Sequence, residues 1–342
     1  MKSLFENKTI MITGGTGSIG TEMIRKLLRF NPKALRIFDI DETKQFEMQH
    51  ELKDYDNIRY LLGDIRDKDR ILRAMENVDI VFHMAALKHV YSCEYNPFEA
   101  VKTNVLGTQN VIDSALANNV DKVIFTSSDK AVNSCNVMGS TKMLCERLVT
   151  AANFSRGAKR TKFTTVRFGN VLGTRGSVLP LFIEQARKGQ PLTVTDINMT
   201  RFVMSMSESL NLLLKTTQIA QGGEIFILKM PVIRPIDLAN HIIKEYGSGN
   251  SDLPEHSRIK IIGNKAGEKM FEELMTLDES KRSFEAQDMF IVLPEQQELR
   301  GMINTQLYIG VKPGEHKQYS SDLVKPVPES EIGNLLKTEK YD

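Results

Sequence analysis

The 342-residue sequence has no tryptophan, only three cysteines and almost no net charge. Cys93, Cys135 and Cys145 are too few and too irregularly spaced for a disulfide framework, and no zinc spacing occurs, so we expect no metal site. Lys plus Arg (45) nearly balance Asp plus Glu (43), which gives no electrostatic reason to expect nucleic acid or an anionic membrane as a partner. No apolar run approaches the roughly 20 residues of a membrane-spanning helix, and the N-terminus lacks the pattern of a secretory signal. These absences predict a cytoplasmic globular protein.

Short apolar segments alternate with longer amphipathic segments over the first half of the chain. Helical patterns such as Glu22–Phe30 and Asp67–Met75 lie between strands that are almost wholly apolar, as expected for strands buried on both faces. The alternation predicts an α/β fold, a Rossmann-like doubly wound parallel sheet, with 1–180 as a dinucleotide-binding domain to which 203–230 return. The candidate strands are Thr9–Thr13, Leu35–Phe38, Ile58–Leu62, Asp79–His83, Lys122–Ser127 and Phe163–Phe168.

The regular alternation ends after Phe168, where several glycines and a proline predict a loop that leaves the sheet. The following segments predict a smaller C-terminal α+β substrate-binding domain made of 181–202 and 231–342. The tail beyond Val311 is rich in Lys, Pro, Glu and Ser, which favours either a loose wrap or an arm to another subunit. The elements predicted in this half include Leu181–Arg187, Pro235–Tyr246 and Glu268–Met275 as helices and Leu192–Thr195 as a strand.

A glycine-rich turn lies between the first predicted strand and the first predicted helix. Gly14, Gly17 and Gly20 are spaced three apart, and glycines at this place let backbone N–H groups approach a pyrophosphate at a helix N-terminus. The alternative is a tight turn whose glycines serve packing alone. The predicted cofactor contacts of the turn are Gly14, Thr16, Gly17, Ser18, Ile19 and Gly20.

Asp39 ends the second predicted strand, roughly 20 residues after the glycines, where a carboxylate accepts hydrogen bonds from an adenosine ribose. Such a carboxylate repels a 2′-phosphate and no arginine follows it, so we predict NAD, with NADP as the alternative. Asp39 could instead only start the turn into the next helix. The ends of the third and fourth strands add Asp64 and Ile65 near the adenine and Ala85 and Ala86 along the cofactor.

Charged residues follow the fifth predicted strand, whose carboxyl end faces the ligand crevice of a doubly wound sheet. Ser128, Asp129 and Lys130 lie there, and general acid–base chemistry needs two groups with separated pKa values in one cleft. An ordinary ion pair at the end of a strand is the alternative. Met138 and Lys142 follow at the start of a predicted helix, and their spacing of four residues puts them on one face.

The pair Met138 and Lys142 resembles the Tyr-x-x-x-Lys pair of the extended short-chain dehydrogenase/reductase superfamily, with methionine at the tyrosine position. Six further segments resemble one narrower family, the inverting (5-epimerising) UDP-N-acetylglucosamine 4,6-dehydratases of polysaccharide biosynthesis. A capsular subgroup of that family also carries methionine in place of tyrosine. The six segments are Ala85–Lys88, Ser128–Lys130, Arg167–Val171, Arg175–Val178, Met199–Phe202 and Gly267–Lys269.

This resemblance implies an enzyme in which tightly bound NAD oxidises C4 of the sugar and returns the hydride to C6 after water is lost. Lys130 would be the base at C5 and Asp129 the acid for the C6 hydroxyl, while Lys142 would hold the nicotinamide ribose. A lysine serves as a base only when burial or a neighbouring cation lowers its pKa, and we expect Lys142 or Lys88 to supply that field.

The thioether of Met138 cannot exchange a proton, so the acceptor of the 4-hydroxyl proton is left open between Lys130 and a water relayed through Ser128. Core packing is the alternative role for this methionine. The enzymatic alternatives on the same fold are a UDP-hexosamine C4 epimerase and a retaining dehydratase. The missing tyrosine also leaves open a non-catalytic NAD-binding sensor.

The resemblance further implies UDP-N-acetylglucosamine as substrate and a homo-oligomer, either a dimer or a hexamer. Arg175 and Arg201 are the candidates for the diphosphate, since a guanidinium group forms paired hydrogen bonds with phosphate. Thr195 and Met199 match positions around the uracil, and Glu268 matches one that accepts from the ribose. For each of these residues a solvated surface group is the alternative. The implied substrate contacts are Lys88, Asn170, Arg175, Ser177, Thr195, Met199, Arg201, Lys265 and Glu268.

Overall fold

The structure, a computed structural model, describes residues 1–247 and 258–337. Its strands are β1 (Thr9–Thr13), β2 (Ala34–Asp39), β3 (Ile58–Leu62), β4 (Ile80–His83), β5 (Lys122–Ser128), β6 (Lys162–Phe168), β7 (Asn170–Val171), β8 (Leu192–Val194), β9 (Arg201–Met204), β10 (Ile225–Leu228), β11 (Val232–Ile233), β12 (Ile259–Ile261), β13 (Glu273–Met275), β14 (Ser283–Glu285), β15 (Met289–Val292), β16 (Lys312–Pro313) and β17 (Tyr319–Ser320). Its helices are α1 (Lys2–Phe5), α2 (Ser18–Leu28), α3 (Glu42–Glu51), α4 (Lys68–Ala74), α5 (Val90–Tyr95), α6 (Pro97–Ala100), α7 (Gly107–Ala117), α8 (Val137–Ser155), α9 (Val178–Arg187), α10 (Met206–Ile219), α11 (Pro235–Tyr246), α12 (Leu277–Ser280), α13 (Gln297–Gly301) and α14 (Glu329–Leu336). A π-helical turn covers Val101–Leu106, and 3-10 turns cover Asp129–Ala131 and Thr305–Leu307.

The largest sheet has ten strands in the order β16-β14-β15-β10-β6-β5-β4-β1-β2-β3. The strands from β10 to β3 run parallel, whereas β15, β14 and β16 add an antiparallel edge. The chain order reverses between β1 and β4, and a ligand crevice forms outside the carboxyl ends of the strands at such a point. The predicted Rossmann-like doubly wound sheet is confirmed.

Helices cover both faces of this sheet because each presents an apolar stripe to it. In α2, Met23, Ile24 and Leu27 are buried at helical spacing and belong to the apolar cluster on one face, together with residues of α10. On the other face, α4, α7 and α8 bury side chains such as Ile71 and Val149. Strands β1, β4 and β10 are buried at every position, which accounts for their continuous apolar sequences.

The second half of the chain also forms three smaller sheets, β11-β9-β7, β12-β8 and β13-β17. Helices α9 and α11 pack next to them around Leu179, Phe182 and Leu238, and Ile332 of α14 joins the same apolar cluster. The tail thus wraps onto its own chain within the described residues. The boundary predicted at residue 180 remains a prediction.

Two parts of the C-terminal half differ from the sequence prediction. Strands β14, β15 and β16 lie in the main sheet, so 231–342 is not confined to a separate substrate-binding domain. The predicted helix Glu268–Met275 is wrong, because Gly267 has a φ of +80° and the segment then extends into β13, which pairs with β17 of the tail. Within residues 1–247 and 258–337, no helix is long and apolar enough to cross a membrane.

Candidate active site

The glycine-rich turn joins β1 to α2 in close contact with the end of β4. Gly14 has a φ of +68°, and a Cβ atom there would lie 2.8 Å from the backbone of Ala85. Gly17 precedes the 11-residue helix α2 and gives it no side-chain cap, so the first N–H groups of the helix are available to an anion. The turn therefore fits the pyrophosphate of a dinucleotide, as the sequence predicts.

Asp39 lies beside this turn and holds it in shape. Its carboxylate accepts hydrogen bonds from the backbone N–H (3.0 Å) and hydroxyl (2.8 Å) of Thr16 and from the N–H of Asp41 (3.2 Å). The cap of α3 is Asp41, whose carboxylate accepts from the N–H of Lys44 at 3.0 Å. Asp39 therefore does not cap α3. Its carboxylate lies next to the glycine turn, where an adenosine ribose would lie.

The ends of β3 and β4 carry the other predicted cofactor contacts. Asp64 accepts hydrogen bonds from the backbone N–H (2.9 Å) and the guanidinium (2.7 Å) of Arg66. Burial alone would raise the pKa of Asp64, but Arg66 outweighs burial and lowers it. Ile65 is buried against α7, whereas Ala85 and Ala86 are partly exposed after β4.

Helix α8 brings Lys142 against the strand that leads to the charged residues. The helix is capped by Asn136, whose side chain accepts from the N–H of Gly139 at 2.7 Å. The buried ammonium of Lys142 donates to the carbonyl of Thr126 at 2.8 Å and lies 4.6 Å from the centre of the Phe125 ring. Burial lowers the pKa of Lys142.

Met138 lies one turn before Lys142 and is buried with Cys93 and Ala100 in a small apolar cluster. The next residue, Gly139, touches the backbone of Lys130, because a Cβ atom at Gly139 would collide with the Lys130 carbonyl. This close approach fixes the main chain of Lys130 against the start of α8.

Three charged side chains meet at the carboxyl end of β5, and we call them the charged cluster: Asp129, Lys130 and Glu272. The Lys130 ammonium lies 2.9 Å from Oδ1 of Asp129 and 3.3 Å from Oε1 of Glu272. Oδ1 of Asp129 also accepts from the hydroxyl of Ser128 at 2.7 Å and from the N–H of Lys130 at 2.8 Å. Asp129 is 0% and Glu272 2% exposed, whereas the Lys130 side chain is 20% exposed. Lys130 is therefore the member of the cluster that reaches solvent.

The pKa of Lys130 is shifted in the direction opposite to the predicted one. Burial lowers its pKa, but the carboxylates of Asp129 and Glu272 outweigh burial, so the pKa of Lys130 is raised. Lys142 and Lys88, which were expected to lower it, donate instead to backbone carbonyls elsewhere. The expected lowering is wrong, and Lys130 carries its proton at neutral pH.

Glu272 is the functional candidate that the sequence did not reveal. Its backbone N–H donates to the hydroxyl of Ser321 and its carbonyl accepts from the N–H of Ser321, both at 2.9 Å, so the tail positions it. Burial raises the pKa of Glu272, Lys130 opposes that shift and Asp129 adds to it. The signal in the sequence is the pair Glu272 and Glu273 between apolar residues, but the wrongly predicted helix gave no reason to bury either one.

Arg201 lies on the β9 side of the charged cluster. Its guanidinium donates to the carbonyls of Thr200 (2.8 Å), Lys269 (2.7 Å) and Met270 (3.3 Å). Its positive charge opposes the proton on Lys130. This predicted substrate residue therefore lies near the predicted acid–base pair.

Arg175 lies at the opposite, cofactor end of the site. Its guanidinium donates to the carbonyl of Thr16, and its backbone N–H donates to the hydroxyl of Ser18 at 3.1 Å. Lys88 donates to the carbonyl of Arg175 at 2.7 Å. The two arginines predicted to share the diphosphate thus bond to different elements, one to the glycine turn and the other to the loop before β13.

The remaining predicted substrate residues are spread over several loops. Glu268 accepts from the N–H of Lys265 at 3.2 Å, within the loop before β13. Asn170 donates to the carbonyl of Phe202 at 3.2 Å. The hydroxyl of Ser177, just before α9, is buried and has no hydrogen-bond partner among the described residues. Thr195 is partly exposed after β8 and Met199 is buried.

Comparison with curated proteins finds relatives along most of the chain. A protein from Methanocaldococcus jannaschii, named only as an uncharacterized membrane protein, is 54% identical over 86% of this chain and 88% of its own length. A UDP-N-acetylglucosamine 4,6-dehydratase (inverting) from Campylobacter jejuni is 41% identical over 93% of this chain and 94% of its own. A UDP-glucose 4-epimerase from Rickettsia rickettsii is 38% identical over 99% and 98%.

Solved structures give the same picture of the fold. Pen from Bacillus thuringiensis superimposes with a TM-score of 0.91 at 46% identity and covers 99% of this chain and 100% of its own. The UDP-glucose 4-epimerase of Thermus thermophilus in complex with NAD has a TM-score of 0.65 at 19% identity over 76% and 88%. The family described as polysaccharide biosynthesis protein matches residues 10–294. The match covers most of the chain, so the chain belongs to this family of polysaccharide biosynthesis proteins.

Proposed function

We propose that the protein is a UDP-N-acetylglucosamine 4,6-dehydratase that works with NAD and inverts C5 of the sugar. The observation that carries the proposal is the Asp129–Lys130 pair at the end of β5, close to Lys142. Epimerisation at C4 needs only hydride exchange and one proton acceptor, whereas dehydration also needs a base for C5 and an acid for C6. The Campylobacter jejuni relative, which carries this name along nearly the whole length of both chains, supports the proposal.

The residues of the crevice fit the proposed cofactor. Bound NAD supplies a hydride acceptor for C4 and, once reduced, a hydride donor for C6. The glycine turn would hold the pyrophosphate, Asp39 the adenosine ribose and Lys142 the nicotinamide ribose. Tight retention through the cycle, and NAD rather than NADP, are part of the proposal. Identifying the dinucleotide released when the purified protein is denatured tests both.

The acid–base steps then follow from the geometry of the pair. With C4 as a ketone, the C5 proton is acidic, and Lys130 takes it after passing its own proton to Asp129, which lies 2.9 Å away. The electrons of the C5–H bond form a C5–C6 double bond, the C6–O bond breaks, and Asp129 protonates the departing hydroxyl so that water leaves. Protonation of C5 from the opposite face, after hydride has returned to C6, inverts that centre.

Two details of the proton path remain as proposals. The 4-hydroxyl proton goes either to Lys130 or to a water relayed through Ser128, whose hydroxyl donates to Asp129 at 2.7 Å. Met138 takes no part in proton transfer, because its side chain is buried in an apolar cluster and a thioether does not ionise.

For the nucleotide sugar we propose Arg201 at the diphosphate, Thr195 and Met199 around the uracil and Glu268 at the ribose. Arg175 contacts the glycine turn and Lys88 donates to the carbonyl of Arg175, which favours a phosphate at the cofactor end of the site. A homo-oligomer, either a dimer or a hexamer, and a cytoplasmic location remain predictions. Light scattering of the purified chain measures the oligomeric state.

The deciding experiment is nuclear magnetic resonance of the product formed from UDP-N-acetylglucosamine in heavy water. The proposal expects a 4-keto-6-deoxy sugar with deuterium at C5 and inverted configuration there. A retaining dehydratase would label C5 without inverting it. Absence of turnover while the dinucleotide stays bound would favour an NAD-binding sensor.

A UDP-sugar C4 epimerase is the second candidate, because the Rickettsia rickettsii relative with that name aligns over 99% of this chain. In the same experiment an epimerase would return an isomer of the substrate that has lost no water and carries no deuterium at C5. Loss of water together with label at C5 rejects this candidate.

A further inference from the structure

Glu272 introduces a third titratable group into a site whose proposed chemistry uses two. Its Oε1 lies 3.3 Å from the Lys130 ammonium, and the same ammonium lies 2.9 Å from Asp129. One cation therefore faces two carboxyl groups that are both almost completely buried. Two ionised carboxylates around a single ammonium would leave an uncompensated buried charge, which is costly.

The other charged groups near Glu272 do not pair with it. Arg201 and Lys269 both lie close enough to affect its charge, but the hydrogen bonds of Arg201 go to backbone carbonyls. The ammonium of Lys269 donates to the carbonyl of Val132 at 2.8 Å. Among the described residues, Lys130 is the one cation within ion-pair distance of Glu272.

The hydrogen bonds of the two carboxyl groups are unequal. Oδ1 of Asp129 accepts from the Ser128 hydroxyl and from the backbone and side chain of Lys130. Oδ2 of Asp129 and Oε2 of Glu272 are buried without a partner in the described part of the chain. Asp129 is thus the carboxyl whose negative charge the surroundings support, and Glu272 is the one on which a proton removes the excess charge.

We propose that the proton on Glu272 decides whether Lys130 can act as the base. With Glu272 neutral, Lys130 can pass its own proton to Asp129, and the pair then consists of the neutral amine and the carboxylic acid that the elimination needs. With Glu272 ionised, a second negative charge at 3.3 Å holds the proton on Lys130 and blocks that transfer. Glu272 is accordingly a positioning residue that acts through Lys130, and this role rests on the proposed dehydratase function.

The proton count of the cycle closes with this assignment. Glu272 keeps its proton throughout. Lys130 gains the C5 proton and Asp129 gives its proton to the departing hydroxyl, which leaves an ammonium and a carboxylate. That ammonium and carboxylate are the resting pair, and transfer of one proton from Lys130 to Asp129 prepares the next elimination. The proton released from the 4-hydroxyl balances the one that solvent returns to C5.

The test compares the pH dependence of kcat for the native chain, Glu272→Gln and Glu273→Gln, with UDP-N-acetylglucosamine as substrate. Glutamine has nearly the same shape as neutral glutamic acid but cannot ionise. We expect the kcat of the native chain to fall about tenfold per pH unit above the pKa of Glu272, and the Glu272→Gln variant to lose this alkaline fall. Glu273, which accepts from Asn133 at 2.7 Å and faces away from the charged cluster's ion pairs, provides the matched control and keeps the native profile.

A loss in Glu272→Gln of about 100-fold or more that is equal at every pH would overturn the proposal, because it would mean that the carboxyl itself transfers protons in the reaction. An alkaline fall that persists unchanged in Glu272→Gln would overturn it as well. The ratio of kcat to KM separates these outcomes from weakened binding of the sugar.

A second measurement does not depend on turnover. Infrared difference spectra of the full chain over a pH titration report the C=O stretching band of a protonated carboxyl group. We expect a band that persists above the ordinary titration range of glutamate in the native chain and in Glu273→Gln and is absent from Glu272→Gln. Its absence from the native chain overturns the inference even if the enzyme dehydrates the sugar. Its presence without any turnover rejects the dehydratase function and leaves the protonated Glu272 in place.

Discussion

The glycine turn and the charged cluster follow strands of the same parallel sheet, β1 and β5, but are built in different ways. The turn is a continuous segment whose function depends on backbone geometry, with Gly14 at a φ of +68° against the backbone of Ala85. The charged cluster joins side chains from distant parts of the chain, and the role proposed for it depends on which of its three groups carries a proton. We therefore expect one added methyl group to disrupt the glycine turn, and the loss or gain of one charge to disrupt the charged cluster.

The largest effect is expected at the centre of the cluster. Lys130→Ala removes the proposed C5 base, and general acid–base catalysis is worth about 10²–10⁴-fold, so kcat should fall by about 10³-fold while bound dinucleotide is retained. Product formation and dinucleotide content of the purified variant measure the two effects. Lys188→Ala, an exposed lysine paired with Glu184 on α9, is the control and should turn over normally. Near-native turnover of Lys130→Ala would remove Lys130 from the mechanism.

The turn should be disrupted by one methyl group. Gly14→Ala forces a left-handed backbone on alanine and places its Cβ 2.8 Å from the Ala85 backbone, so the affinity for NAD should fall about 10- to 100-fold by calorimetry. Gly157→Ala is the matched control, since Gly157 has a φ of +57° but nothing within 4 Å of a Cβ. If both variants bind NAD equally, the close approach at Gly14 has no role in cofactor binding.

The buried carboxyl of Glu272 should also make the free energy of unfolding depend on pH. The pKa of Glu272 is raised by burial, so the stabilisation from its proton is complete below the unfolded-state pKa and is lost as pH rises through the folded-state pKa. The native chain should therefore lose up to about 1.4 kcal/mol per pH unit relative to Glu272→Gln in that window. Urea unfolding of both chains at several pH values measures the difference. A difference that does not change with pH would show that Glu272 has an unperturbed carboxyl.

The smallest effect is expected at Met138. Met138→Leu keeps the apolar volume beside Cys93 and Ala100, so turnover should stay within a few-fold of native and the free energy of unfolding should change by less than about 1.5 kcal/mol. Steady-state kinetics and urea unfolding measure both quantities. Complete loss of activity in a folded variant would contradict a role in packing alone.

The parts of the site that lie within one short segment could be predicted from the sequence. Gly14, Gly17 and Asp39 occupy the ends of β1 and β2, where the parallel topology fixes both position and direction. Helical spacing put Met138 and Lys142 on one face of a predicted helix, and the structure adds that Lys142 lies against β5. Local periodicity is a reliable guide to these elements, because strands buried on both faces require continuous apolar sequence.

The parts that depend on contacts between distant segments could not be predicted. Glu272 lies in a segment that periodicity assigned to a helix, and its burial follows from the pairing of β13 with the tail strand β17. Glu272 then adds to Asp129 in raising the pKa of Lys130, and the two carboxylates together outweigh the effect of burial on the lysine. Likewise, the separation of Arg175 from Arg201 depends on which loop each guanidinium meets.

By itself, therefore, the sequence determined the doubly wound sheet, the glycine turn and the position of the Asp129–Lys130 pair at the end of β5, because each is encoded by neighbouring residues. Only the tertiary structure decided which charged groups surround Lys130 and the direction in which they shift its pKa. Electrostatic energies in a protein interior depend on burial and on the distances between side chains, and the tail alone brings Glu272 within 3.3 Å of Lys130.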